Sequence, residues 1–353
     1  MFYSSTQVNT TKRASGKTDR ALLREGAGQA VVNCMKITPK DTVVIIGDSK
    51  SKSISEVLGA ECSQITQKIS LFNLDDFGER PLAALPKDVT IALEESTATF
   101  YTAGSYKGEL ASVRRPMIRL ATKTGREGHM IDITEGIMKT GMRADYAKIK
   151  EVTQAVFNIV KNAKEIRVTT DLGTDLIATF NPDWKWIPCD GDILNMPTRW
   201  SNLPDGEVFT CPLTLNGIAM VDGSIGDYFE SYNPVKSPIK LRISDTRVIS
   251  LENDNKVLEK ELNDYIKTDE NANRIGEFAI GTNIGLKEFI GIMLQDEKFP
   301  GVHIAVGDSY QGHTGAPFPS KVHCDFVIGK TTIKVDGVTI MEKGHFLHIP
   351  ISP

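Results

Sequence analysis

The chain of 353 residues is 40% apolar and 24% charged, with a formal net charge of -4. This is an ordinary globular composition with room for two or three compact units. The acidic balance, and the lack of any Lys/Arg run interleaved with aromatics, argue against nucleic acid as a partner.

Met1–Lys17 is polar and rich in Ser and Thr, without the apolar run of a secretory signal. No later stretch approaches the about 20 apolar residues of a membrane span. A cytoplasmic protein that does not cross a membrane is expected. Cys34, Cys62, Cys189, Cys211 and Cys324 stand singly with no CxxC spacing, which predicts reduced thiols and no thiolate zinc site.

Arg20–Met35 is alanine-rich and predicts a helix. Thr42–Ile46 predicts a β-branched strand ending at Gly47, and Val89–Leu93 predicts a second one. Short apolar strands between helices imply a parallel sheet covered on both faces, hence an α/β N-terminal domain over residues 1–150. From Tyr146 to Lys164, Ile149, Val152, Val156, Ile159 and Val160 recur at helical spacing, and a strand at Ile166–Thr170 follows. The domain boundary falls within 145–165.

Residues 151–353 change to short strands and tight turns at Asp171-Leu-Gly-Thr and Val221-Asp-Gly. Asp336-Gly337 between Thr332–Val335 and Val338–Met341 reads as a two-residue type I′ hairpin, because Asp-Gly tolerates positive φ at both positions. A β-rich α+β C-terminal domain is expected to carry the chemistry.

Two motifs are set aside. Gly16-Lys17-Thr18 lacks the glycine five residues earlier that a phosphate loop requires, since Thr11 stands there. Gly47-Asp48-Ser49-Lys50-Ser51 lacks the second glycine of a nucleophile elbow and reads as a polar turn.

Of six histidines, only His129 lies in the first half; His303, His313, His323, His345 and His348 fall near the end. In Val322-His323-Cys324-Asp325-Phe326, the histidine and the aspartate two positions on share one face of a strand, roughly 7 Å apart. Cys324 then faces away. His303 sits in a second apolar strand between glycines, while Glu207 and Glu277 open or interrupt apolar runs. Carboxylates beside neutral imidazoles in apolar strands are costly unless a cation offsets their desolvation. Two imidazoles and three carboxylates suit a pair of divalent ions such as Zn, Co or Mn, which activate water and make hydrolysis the natural reaction.

The series NLPDGEVFT, RIGEFAIGTN, HIAVGDSY and VHCDF, from about residue 145 onward, resembles the thermophilic metallo-aminopeptidases of the aminopeptidase T and aminopeptidase S group. The resemblance implies metal ligands at Glu207, Glu277, His303, His323 and Asp325. It also implies a catalytic tyrosine at Tyr310, peptide substrates, and a homodimer with an enclosed site. Family members often carry an acidic residue where Gly206 stands, and over residues 1–145 little resemblance is found. A ligand carboxylate or Asp308 is the candidate general base, His313 is expected to line the site without ligating, His345 and His348 to be surface or packing residues, and Trp184, Trp186 and Trp200 to fill cores. A rival reading takes His303, His323 and Asp325 as a mononuclear Fe(II) set of a ring-cleaving dioxygenase. A third is a non-catalytic metal-binding protein.

Overall fold

The computed structural model describes residues 18–347 and residue 349. Met1–Lys17, with most of the Gly16-Lys17-Thr18 motif, and His348 lie outside the described residues.

In the first part, Thr18 Oγ1 accepts from the Ala21 amide and starts the helix Asp19–Gly28, which continues in wider turns over Gln29–Cys34. The strand Val43–Gly47 lies between Ile69–Asn73 and Ala98–Tyr101. Arg126–His129 and Trp200–Asn202 follow outward, and all five strands are parallel. Alternate residues of the central strand serve opposite faces. Val43 and Ile45 pack with Leu23, Ile54 and Leu58, whereas Val44 and Ile46 pack with Val89, Leu93 and Met117. Helices thus cover both faces, as a parallel sheet requires.

Val89–Leu93 is not a strand. It forms the middle of the helix Lys87–Glu95, in which Val89 and Leu93, four residues apart, are buried while Ile91 between them is 51% exposed. Helical spacing outweighed β-branching at this site.

The helix Tyr146–Val160 begins where the Asp145 carboxylate accepts from the Ala147 and Lys148 amides, at 3.1 and 3.2 Å. Its two faces serve two cores. Tyr146 and Ile149 join the core of the parallel sheet, and Val152, Val156 and Val160 join that of the second part. The chain then crosses back, since Trp200–Asn202 pairs with Arg126–His129 to complete the first sheet.

The second part is a sandwich of two antiparallel sheets. An eight-stranded sheet runs in the order 247–252, 239–244, 214–221, 175–179, 165–169, 332–335, 338–342, 345–346. A five-stranded sheet runs in the order His323–Ile328, Gly301–Gly307, Ile275–Gly281, Glu207–Thr210, Ile187–Cys189. Asp336 and Gly337 both have positive φ, as the hairpin reading requires. Among the described residues no helix is long and apolar enough to cross a membrane.

Arg126 ties the first part together from a buried position. It donates to both oxygens of Asp41, at 3.0 and 3.1 Å, and to the carbonyls of Met35, Lys36 and Thr97. Burial opposes ionisation of Asp41, yet the hydrogen bonds from Arg126 and Thr97 override it and hold the carboxyl well below the usual range. A group depressed in this way stabilises the fold above its unfolded value of about 4, and that contribution is lost as the pH falls below it. Arg126→Met is expected to lower the unfolding free energy by about 3–5 kcal/mol at neutral pH in a denaturant titration, with a smaller difference at acid pH.

Candidate metal centre

The five-stranded sheet has one apolar face and one charged face. Val208, Phe278, Ile280, Val302, Ile304, Cys324 and Phe326 enter the sandwich core. The alternate positions Glu207, Glu277, His303, His323 and Asp325 share the other face, as the period of two demands. The register brings them level: Ala279 stands opposite both His303 and Phe209, Ala305 opposite both Glu277 and Asp325, and Gly281 opposite Glu207. The small partners leave room between the functional side chains.

Two overlapping donor groups result, Glu207–Glu277–His303 and Glu277–His323–Asp325, each with its ligand atoms within 4.8 Å of one another. Glu277 belongs to both. Its Oε1 lies 3.4 Å from His303 Nε2, and its Oε2 lies 3.2 Å from His323 Nε2. Asp325 Oδ1 lies 3.5 Å from His323 Nε2 and 4.0 Å from His303 Nε2. The structure therefore brings all five sequence-predicted ligands together. Cys324, between two of them, faces the core as expected.

The donor chemistry fits a divalent cation. Glu207 Oε2 is buried without a hydrogen bond, 3.5 Å from His303 Nε2, and such an atom is costly unless a cation meets it. His323 Nδ1–H donates to the Asp308 carbonyl at 3.2 Å, which leaves Nε2 as the donor facing Glu277 and Asp325. The potential at the centre is strongly negative. Burial alone would lower the pKa of His303, but the hydrogen bond to Glu277 and the charge of Glu207 raise it to about 9. His323 moves upward as well, the Asp325 charge outweighing burial. For Glu277 the same contacts with His303 and His323 overcome burial and hold the carboxyl well below its usual range.

Three neighbours escaped the sequence analysis. Glu297 borders the cleft, and burial, reinforced by the charges of Glu207 and Asp325, pushes its carboxyl up to about 7. Lys298, 2% exposed, reaches Glu207 Oε1 at 2.6 Å and Glu297 Oε1 at 2.8 Å. Asp205, two residues before Glu207, accepts from Gly191 N, Ser201 Oγ and Gly206 N and organises the turn. Burial, with Glu207 adding to it and Lys298 opposing, lifts Asp205 to about 6. A mixed polar run such as Asp296-Glu297-Lys298 carries no periodic signal, so only the fold shows that it turns inward.

Tyr310 lines the same cleft, its ring centroid 4.5 Å from that of His323. It adopts a left-handed conformation, φ 50° and ψ 52°, which costs about 1–3 kcal/mol. The Asp308 carboxylate holds it there by accepting from the Tyr310 amide at 2.8 Å and from the Ser320 amide at 3.3 Å. That carboxylate is thus turned onto the loop backbone and is not among the residues that line the cleft. His313 lines the cleft and His345 lies at an exposed edge, as expected. Trp186 is buried in the sandwich core and Trp184 packs on a small satellite core, but Trp200 corrects expectation by lining the cleft together with Ile187, Met196 and Phe209.

A family model described as thermophilic metalloprotease (M29) matches residues 141–349. No curated protein matches the chain. Among solved structures, wild-type AmpT from Thermus thermophilus shares 16% identity with a TM-score of 0.68, over 94% of this chain and all of its own. A 2,5-dihydroxypyridine dioxygenase from Pseudomonas putida KT2440 shares 16% identity and a TM-score of 0.68, over 94% of this chain and 99% of its own. At that identity both show a common fold.

A cation bound only by the folded chain stabilises it by about 2.7 kcal/mol at a hundredfold excess over its Kd. Zn or Mn is expected to raise the melting temperature of the wild type and not that of Glu277→Gln, which removes the carboxylate common to both groups. An equal rise in both proteins would place the ion elsewhere.

Proposed function

The chain belongs to the thermophilic metalloprotease (M29) family, a divalent-metal-dependent hydrolase, and from that premise we propose that it is an aminopeptidase acting at the N-terminal peptide bond of its substrates. The observation that carries this reading is Glu277, a buried carboxylate shared by two donor groups at the floor of one cleft. Glu207, Glu277, His303, His323 and Asp325 offer places for up to two ions of the Zn, Co or Mn class. Such a centre supplies polarisation of the scissile carbonyl and a water of lowered pKa.

The chain's own residues do the rest. Tyr310, which lines the cleft, donates from its hydroxyl to the oxyanion that develops at the reacting carbonyl. Glu297, with a pKa near neutrality, accepts the proton of the attacking water and returns it to the leaving amine. Ile187, Met196, Trp200 and Phe209 form an apolar wall that favours an apolar side chain on the first residue. Five buried cysteines without a disulfide fit a cytoplasmic setting. Homodimerisation belongs to the same proposal and is read by light scattering.

The test is hydrolysis of aminoacyl anilides by metal-loaded protein. Wild type should cleave them, Glu277→Ala should not, and Tyr310→Phe should lower kcat by about 10²–10³-fold with little change in KM. Glu297→Gln should lower kcat by about 10²-fold or more. The likeness to a 2,5-dihydroxypyridine dioxygenase supplies the rival outcome. Protein that carries iron, consumes oxygen with a dihydroxypyridine and leaves anilides intact would replace the peptidase reading.

A further inference from the structure

We infer that Lys298 is a positioning residue of the metal centre. Its ammonium keeps one oxygen of Glu207 and one of Glu297, so that Glu207 meets a cation through Oε2 alone and Glu297 is held beside the reacting water. Both cation places stay open. This rests on the metal-dependent reading given above.

The two oxygens of Glu207 have different surroundings. Lys298 Nζ lies 2.6 Å from Glu207 Oε1 and 2.8 Å from Glu297 Oε1. Glu207 Oε2 is the oxygen without a hydrogen bond, on the side of His303. A carboxylate whose Oε1 accepts from an ammonium has one oxygen left for a cation, at about 2.0–2.2 Å for Zn. Glu297, divided in the same way, keeps its second oxygen for the proton of the attacking water.

The turn that carries Glu297 and Lys298 is clamped from both parts of the chain. From the first part, the Thr140 hydroxyl and the Gly141 amide donate to Gln295 Oε1 at 2.8 and 2.9 Å. From the second, Ser224 Oγ and the amides of Ile290 and Gly291 donate to the Asp296 carboxylate at 2.6, 2.9 and 2.8 Å. The Lys298 carbonyl accepts from the Asn283 amide at 3.0 Å. A Cβ on Gly281, which stands opposite Glu207, would come within 2.0 Å of the Phe299 carbonyl oxygen. The bare backbone at Gly281 therefore lets the turn press onto the sheet, and Lys298, 2% exposed, is fixed where it reaches Glu207.

An apolar residue of similar length lacks the donors that occupy Glu207 Oε1. Glu207 is then free to turn and close on a cation with both oxygens. That raises the coordination number of the ion and weakens its pull on water and carbonyl. Partners placed behind a metal ligand in this way are typically worth about 10–100-fold in affinity or activity.

Co(II) provides the test, because its visible absorption weakens as its coordination number rises. The full-length chain is stripped with chelator and loaded with Co(II), and wild type and Lys298→Met are compared in bound metal, spectrum and anilide hydrolysis. The loaded wild type is also crystallised. In that crystal Lys298 Nζ should stay bonded to Glu207 Oε1, with Glu207 holding its ion through Oε2. Folded Lys298→Met should take as many ions as wild type, show weaker visible bands, and lose about 10–100-fold in kcat with little change in KM. A lysine needed only for packing would leave the spectrum of the folded variant unchanged.

A wild-type Glu207 that chelates with both oxygens, a Lys298 turned away from it, or a folded Lys298→Met with the wild-type spectrum overturns the inference. If Lys298→Met does not fold, the loaded wild-type structure decides alone. Chelation by Glu207 in a wild type that cleaves anilides defeats this inference and spares the function. A wild type that takes no ion defeats both.

Discussion

Everything at the centre follows from the cost of burying three carboxylates and two imidazoles on one face of a sheet. Glu207, Glu277, His303 and Asp325 are each less than a tenth exposed, and no arrangement of hydrogen bonds among them satisfies Glu207 Oε2. Desolvation of that order is stable only against positive charge. The sheet supplies the geometry in which it can be met, because every second residue turns inward to an apolar core and anchors the charged face. The alanines and glycines opposite the donors keep the space open, and Lys298 brings positive charge of the chain's own.

This constraint explains how much of the site was legible. His323 and Asp325 two positions apart in an apolar run, and His303, Glu207 and Glu277 in similar runs, announce themselves by a local rule: a charged residue at an otherwise apolar strand position needs a reason. Their convergence could not be read from spacing, since it depends on the register of four strands distant in sequence. Glu297 and Lys298 lie outside any strand and break no local pattern, so nothing short of the fold separates them from surface residues. The Val89–Leu93 segment failed for the opposite reason, since its branched side chains satisfied two periodicities at once and packing chose the helix.

The two solved neighbours share this fold to the same degree and differ in their described chemistry, so the architecture alone does not select a reaction. What selects it here is local. A mononuclear set of two histidines and one carboxylate would leave Glu277, wedged between both imidazoles, without a task, whereas a peptidase centre uses it. Lys298 lies one position from Glu297 on the same wall, and a change at either alters the charge against which the cation is held.

The strand Trp200–Asn202 closes the parallel sheet of the first part, yet Trp200 also walls the cleft of the second. The fit is therefore drawn from both parts of the chain, since Ile187 and Phe209 of the same wall belong to the metal-bearing sheet. Substitutions that reshape the packing of the N-terminal sheet shift that wall without disturbing a single metal donor. Descendants of this chain can accordingly retune substrate choice through residues that bind no metal, with the reaction itself carried through unchanged.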